Sequence, residues 1–144
     1  MMNSSADIVI FTDEPGWHGR QLETWFTENG FQTKCASLSE CRIEVTGEAS
    51  GIWIPGFDGR LPDGAFVRGV PGGSLEEIVL RLDYLHQLAV LGRPVFNSGR
   101  TIERTVDKGM TSLLLRNNDI PTPKTFVSES AEEVKNYVHS ELGS

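Results

Sequence analysis

Residues Arg93–Ser128, RPVFNSGRTIERTVDKGMTSLLLRNNDIPTPKTFVS, decide how the rest of the chain is read. The stretch opens on a short apolar strand, Val95 and Phe96, and turns through a polar corner, Asn97-Ser98-Gly99-Arg100. A helical pattern follows, with Lys108 in its first turn. Pro121 and Pro123 lack a backbone N–H and bias the residues before them to extended geometry, so that helix has to end near Asn117 or Asn118. A strand over Lys124 to Val127 is expected beyond them.

The alternation of strand and helix continues upstream. Asp7 to Thr12 (DIVIFT) is a continuous apolar run rich in β-branched residues, as a parallel strand covered on both faces requires, and is expected at the centre of the sheet. The loop Asp13 to Arg20 leads into a helix with Leu22, Trp25 and Phe26 on one face and Gly30 as its stop. Phe31 to Ala36 gives the second strand and Glu40 to Thr46 a further short one. Glu48 to Asp63 reads as a decorated edge with a small strand or hairpin arm at Ile52–Ile54, and Ala65 to Val67 as the third core strand, ending in Arg68.

Ser74 is placed as the N-cap of a helix over Leu75 to Leu91, with Glu77 completing a capping box. Leu75, Ile78, Val79, Leu82, Leu85 and Ala89 recur at three- and four-residue steps and are expected to pack on the sheet. His86 beside them reads as a structural histidine. Ser130 caps a last helix, again with Glu133 three residues on, and Val134, Tyr137 and Val138 form its apolar side. The whole describes an α/β fold, a small open, mainly parallel sheet with flanking helices.

A chain of 144 residues, 38% hydrophobic and 23% charged, has the means to bury a core and is not disordered. Its longest apolar runs fall far short of the ~20 residues of a membrane helix, and the N-terminus lacks a signal peptide's basic start and long apolar region. A cytoplasmic protein without a membrane partner is expected. The net charge of −7 argues against binding nucleic acid by phosphate neutralisation. Cys35 and Cys41, without a second Cys or His cluster, are expected as free thiols and not as a zinc site.

From Asn97 to Thr125 the pattern N-S-x-R-x-I-E-x-x-x-D-K-x-x-T-x-x-L-L-x-x-x-x-I-P-T-P-x-T resembles the junction between an N-terminal domain and the ATP-grasp fold, most closely in the RimK-like α-L-glutamate ligases. The resemblance implies a Rossmann-like pre-ATP-grasp domain over residues 1–104, followed over 105–144 by the opening helix and strand of the ATP-grasp portion. It implies that Lys108, beside Asp107, reaches nucleotide phosphates. ATP and Mg2+ are the implied cofactors; glutamate and a carboxylate acceptor (a protein tail, a peptide or a coenzyme) are the implied partners. The chemistry is formation of an acyl phosphate that an amine attacks. The family's metal-binding acids and glycine-rich phosphate loop correspond to positions beyond Ser144. The chain is therefore expected to be a fragment that is inactive alone, holds no nucleotide tightly and forms homo-oligomers. Where the family has glycine before its Ile-Pro-Thr-Pro turn, this chain has Asn118 and Asp119, and Asn tolerates the left-handed conformation of a helix stop.

Asp13, His18, Arg20, Arg68, Asn97 and Arg100 form the candidate substrate-binding set, because all are expected near the carboxyl ends of parallel strands, where open α/β sheets bind ligands. The two readings of Arg68 and Arg100 are recognition of a carboxylate or phosphate and pairing with Asp13, Glu14 or Glu103 to hold loops. No residue is assigned a catalytic or metal-ligating role. The glycines after the first strand do not make G-x-G-x-x-G, against a dinucleotide site, and Arg68 stands where a receiver domain carries its phosphoacceptor aspartate. The alternative function is a stand-alone ligand-binding or protein-interaction module that uses apolar surface at Trp53 and Phe57.

Overall fold

The computed structural model describes residues 5–46 and 50–142. Glu48 and Ala49, where the edge expected over Glu48–Asp63 begins, and the closing Gly143-Ser144 lie outside the described residues. The contacts gather into two compact units, Met1–Arg100 and Thr101–Ser144.

The first unit is built on a four-stranded parallel sheet. Strands β1 (Asp7–Phe11), β2 (Gln32–Ala36), β5 (Gly64–Val67) and β6 (Val95–Phe96) lie in the order β2-β1-β5-β6. The register sets Phe11 opposite both Ala36 and Val67, and Phe66 opposite Phe96. β1 is interior, and Val9, Ile10 and Phe11 are wholly buried, as their apolar run requires. Between β2 and β5 the chain makes a 3-10 turn, Leu38–Glu40, and a separate antiparallel pair, β3 (Arg42–Val45) with β4 (Ser50–Trp53). The Arg42 guanidinium lies 4.0 Å from the Trp53 ring centroid. Phe57, expected on an exposed interface, is 1% exposed and belongs to the core, while Trp53 is half-buried. The Lys34 ammonium of β2 lies 5.3 Å from the Phe57 ring centroid.

Helix α1 (Gly16–Glu28) begins inside the expected Asp13–Arg20 loop. Pro15 is the reason: its fixed φ is already helical and it has no N–H to lose, so it sits at the N-cap and His18 and Arg20 become helical residues. The helix ends in a Schellman motif, with Gly30 at φ 84, Gly30 N–H bonded to Thr27 O and Phe31 N–H to Phe26 O. The rings of Phe26 and Phe31 complete it at 5.7 Å.

Helix α2 (Leu75–Val90) carries the full capping box: Glu77 N–H donates to Ser74 Oγ and Ser74 N–H to Glu77 Oε2. Its buried face is Arg81, Tyr84, Leu85 and Leu88. This corrects the phase of the expected stripe, of which Leu85 alone is buried while Leu75 and Val79 are exposed. Tyr84 and Arg81 account for the shift, because a hydroxyl and a guanidinium can be buried where carbonyls meet them; Tyr84 Oη donates to Cys41 O at 2.9 Å.

In the second unit the helix expected to carry Lys108 in its first turn is formed, and a shorter helix precedes it. Helix α3 (Gly99–Val106), which begins before the unit's first residue, ends where Asp107 caps α4 (Lys108–Asn117), accepting Met110 N–H on Oδ1 at 2.8 Å. α4 stops at the predicted place, but Asp119 and not Asn118 takes the left-handed conformation, at φ 57. The strand expected over Lys124–Val127 is not formed. That segment has no strand beside it among the described residues, and a strand needs a ladder partner. It is held by side chains instead, Thr125 Oγ1 on Ser112 Oγ at 3.2 Å and Phe126 stacked on Tyr137 of α5 (Ala131–Leu142) at 4.5 Å. At the start of α5, Ser130 accepts Glu133 N–H as expected, but the Glu133 carboxylate takes its proton donor from Ser128, whose oxygen in turn accepts Ser130 N–H.

Candidate functional site

Parallel strands bring their carboxyl ends to one edge, and the strand order decides which residues meet there. The side to which the next strand is added reverses between β1 and β5: one connection leads from β1 outward to β2, the other from β5 outward to β6. Asp13 follows β1 and Arg68 follows β5, so these two flank the switch point at which open sheets leave a crevice. Arg68 is exposed, and its N–H bonds to Phe11 O at 2.9 Å. Asn97 follows β6, and its Nδ2 reaches Val67 O at 3.5 Å. Arg100 is exposed in the first turn of α3, and His18 and Arg20 are exposed on α1, with His18 edge-on to Trp17 at 5.1 Å.

Of these six, Asp13 lines a cavity of about 500 Å³ at this edge. Thr12 and Asp13 supply the wall after β1, Ser37 and Ser39 the wall after β2, and Pro71 and Gly72 the wall after β5. Asp13 Oδ1 accepts a hydrogen bond from Ser37 Oγ at 2.5 Å. The other five are on the same edge or the helices beside it but do not line this cavity.

The sequence reading missed Arg81. Its side chain, 7% exposed, reaches this cavity from α2 and donates through Nη1 to the carbonyls of Pro71 (2.9 Å) and Gly72 (3.0 Å), with Glu77 Oε1 at 3.9 Å. It fixes the loop after β5. The one signal available was Gly72-Gly73: a Cβ at position 73 would come within 2.5 Å of Glu77 Oε2 and 2.7 Å of Arg81 Nη1, so glycine there marks a crowded backbone. His86 is half-buried with its ring against Gly99, the partly buried position expected for it.

Both cysteines are free. Burial, then a hydrogen bond to Glu23 Oε1 at 3.2 Å, pushes the Cys35 thiol up to about 11. Burial, then the nearby charge of Glu40, takes Cys41 to about 12. Neither is a thiolate nucleophile at neutral pH.

In the second unit, Lys108 is exposed at the start of α4. Its Nζ donates to Thr105 O at 2.8 Å, so a helix N-terminus and an exposed cation stand at one spot. Among the described residues no group of three or more His, Cys, Asp or Glu could hold a metal ion, and no helix is long and apolar enough to cross a membrane.

No family model and no curated protein matches the chain. Solved structures do, among them two of one ligase. The ATP-grasp ligase PsnB complexed with minimal precursor superposes at TM-score 0.65 with 18% identity over 97% of this chain. The same ligase with minimal precursor, Mg and ADP gives TM-score 0.63 with 17% identity over 99%. The fold is that of the N-terminal part of an ATP-grasp ligase. The chain spans about half the length of these ATP-grasp structures, 52% and 53%. The match runs over nearly the whole chain and so takes in residues of both units.

Proposed function

We propose that this chain is the N-terminal part of a RimK-like, ATP-dependent carboxylate–amine ligase, working in the cytoplasm as a homo-oligomer. What supports this reading is the match of 97% of the chain to an ATP-grasp ligase, together with the Asp107-Lys108 pair opening α4. Residues 1–104 make the substrate-side domain and 105–144 the start of the ATP-grasp portion. Asp13, Arg68, Asn97 and Arg100 serve the acceptor from the carboxyl edge of the sheet, with His18 and Arg20 beside them on α1. Lys108 leaves the Thr105 carbonyl to hold nucleotide phosphate as a compact charge at the N-terminus of α4. ATP, when bound with magnesium, supplies the phosphoryl group that activates a carboxylate; glutamate is the amine, and a protein tail, peptide or coenzyme the acceptor.

The test is ATP kinetics of the intact ligase carrying Lys108→Ala. The expected outcome is a rise of about tenfold or more in KM for ATP with the circular dichroism spectrum unchanged. Unaltered ATP kinetics with a small loss of stability would return Lys108 to a cap on α3, and a protein without ATP turnover would favour a binding module.

A further inference from the structure

The antiparallel pair of β3 and β4 is a two-stranded sheet of its own, so each strand keeps one edge without a partner. β4 is the inner of the two: Ile52 is 6% exposed and Ile54 just beyond it 1%. β3 is the outer, with Ile43 45% and Val45 82% exposed. Among the described residues the backbone of β3 bonds to β4 alone, and in an antiparallel strand every second residue turns its N–H and C=O away from the existing partner. That edge is open. Ile43 and Val45, two residues apart, share the face on which Ile52 lies. They line a groove of about 820 Å³ whose other wall is the end of α2, where Val90 and Leu91 are also exposed.

Charge on an edge strand ordinarily keeps copies apart. The charges of β3 do the reverse for one partner. Arg42 and Glu44 carry opposite signs on the face away from Ile43, their side chains about half exposed, with Arg42 Nε 2.7 Å from Glu44 Oε1. A copy related by a twofold axis presents the same strand running antiparallel. Because opposed side chains share a face, it meets β3 only with some residue opposite its own twin. With Ile43 at the axis, each Arg42 stands across from Glu44 of the partner subunit, and Ile43 meets its twin on the apolar face. With Arg42 or Glu44 at the axis like charges meet, and with Val45 there most of β3 is left unpaired.

We propose that β3 is a dimerisation edge, pairing antiparallel with β3 of a second copy of this chain about a twofold axis at Ile43. The two hairpins then form one continuous sheet, the outward backbone groups of β3 gain partners, and Ile43 and Val45 of both copies lose water. The strand Arg42-Ile43-Glu44-Val45 is self-complementary in that register, which favours a second copy over an unrelated strand. This gives the homo-oligomer of the proposed function its interface and rests on that part of the reading alone; Lys108 and the ligase chemistry do not enter.

The experiment sediments the full chain over a concentration series up to about 0.5 mM, within which a dimer mass is expected. Arg42→Glu and Glu44→Arg, made separately, each set like charges across the axis and are expected to weaken self-association about tenfold or more. Mixed one to one, the two variants restore opposite charges across the axis and are expected to associate about as tightly as the natural chain. No effect within one chain reproduces that recovery, since in each variant residues 42 and 44 carry the same sign. Hydrogen exchange of the natural chain keeps the test clear of folding faults in the variants: the outward amides of residues 42–45 are expected to slow about tenfold from dilute to concentrated chain. A monomer throughout the series would overturn the interface together with the homo-oligomer of the proposed function. A dimer that both substitutions leave intact, a mixture no tighter than its components, or β3 amides indifferent to concentration would overturn the interface alone. The ligase reading stands or falls on Lys108 and ATP, so the failures cannot be confused.

Discussion

Asp119 shows what a single residue costs a helix end. Three Schellman stops among the described residues place Gly30, Gly92 and Asp119 at the left-handed position, with Ile120 N–H returning to Leu115 O at 3.0 Å in the third. Glycine enters that conformation freely, whereas a residue with a Cβ pays roughly 1 kcal/mol. Asp119→Gly is therefore expected to stabilise the second unit by about 1 kcal/mol, read as a higher denaturation midpoint at constant slope. The two thiols give a pH prediction. With folded-state values of about 11 and about 12 against an ordinary 9.0, both remain protonated in each state below pH 9 and contribute no pH dependence there. Between 9 and those values the unfolded chain has released protons that the folded chain retains, so stability falls as pH rises. Thermal melts from pH 8 to 10.5 should fall more steeply for the natural chain than for the Cys35→Ala, Cys41→Ala double variant; parallel curves would remove the thiols from the explanation.

At the scale of the element, α2 separates what a pattern says from what packing selects. Its start was legible residue by residue: Ser74 and Glu77 form the reciprocal cap that their spacing predicts. Ser74→Ala is expected to cost about 1 kcal/mol in equilibrium unfolding, with the fold retained. Its buried face was not legible, because apolar residues occur around much of the helix and the sheet chose the side carrying Tyr84 and Arg81, which the carbonyls of Cys41, Pro71 and Gly72 satisfy. Arg81→Met keeps much of the packing and leaves those two loop carbonyls without their donor. Faster amide exchange of Gly72 and Gly73 is the expected result, and exchange rates unchanged there would deny Arg81 its hold on the loop. The missing strand at Lys124–Val127 has the same origin, since proline and β-branched residues can announce extended backbone but not the neighbour that turns it into a strand.

At the scale of the molecule, burial is divided unevenly. Phe11, Phe57, Leu85 and Leu88 lie in a closed core within the first unit, whereas no described residue from 101 to 141 is fully buried. Hydrogen exchange should accordingly protect Val9–Phe11 and Ala65–Val67 most strongly and 101–142 least, and Leu85→Ala should cost about 2–5 kcal/mol in the first unit without moving exchange in the second. Uniform protection along the chain would contradict that division. The sequence by itself determined the α/β class, the parallel central strands, the capping box of α2 and the start of α4 at Asp107-Lys108, because apolar period, proline, glycine and capping residues act over a few positions. Tertiary structure alone decided which face of α2 is buried, that Phe57 turns inward, and that Asp13 joins Ser37, Ser39 and Arg81 around one cavity. Those outcomes depend on strand order and on which carbonyls satisfy a buried donor, and both are set by residues far apart in the chain.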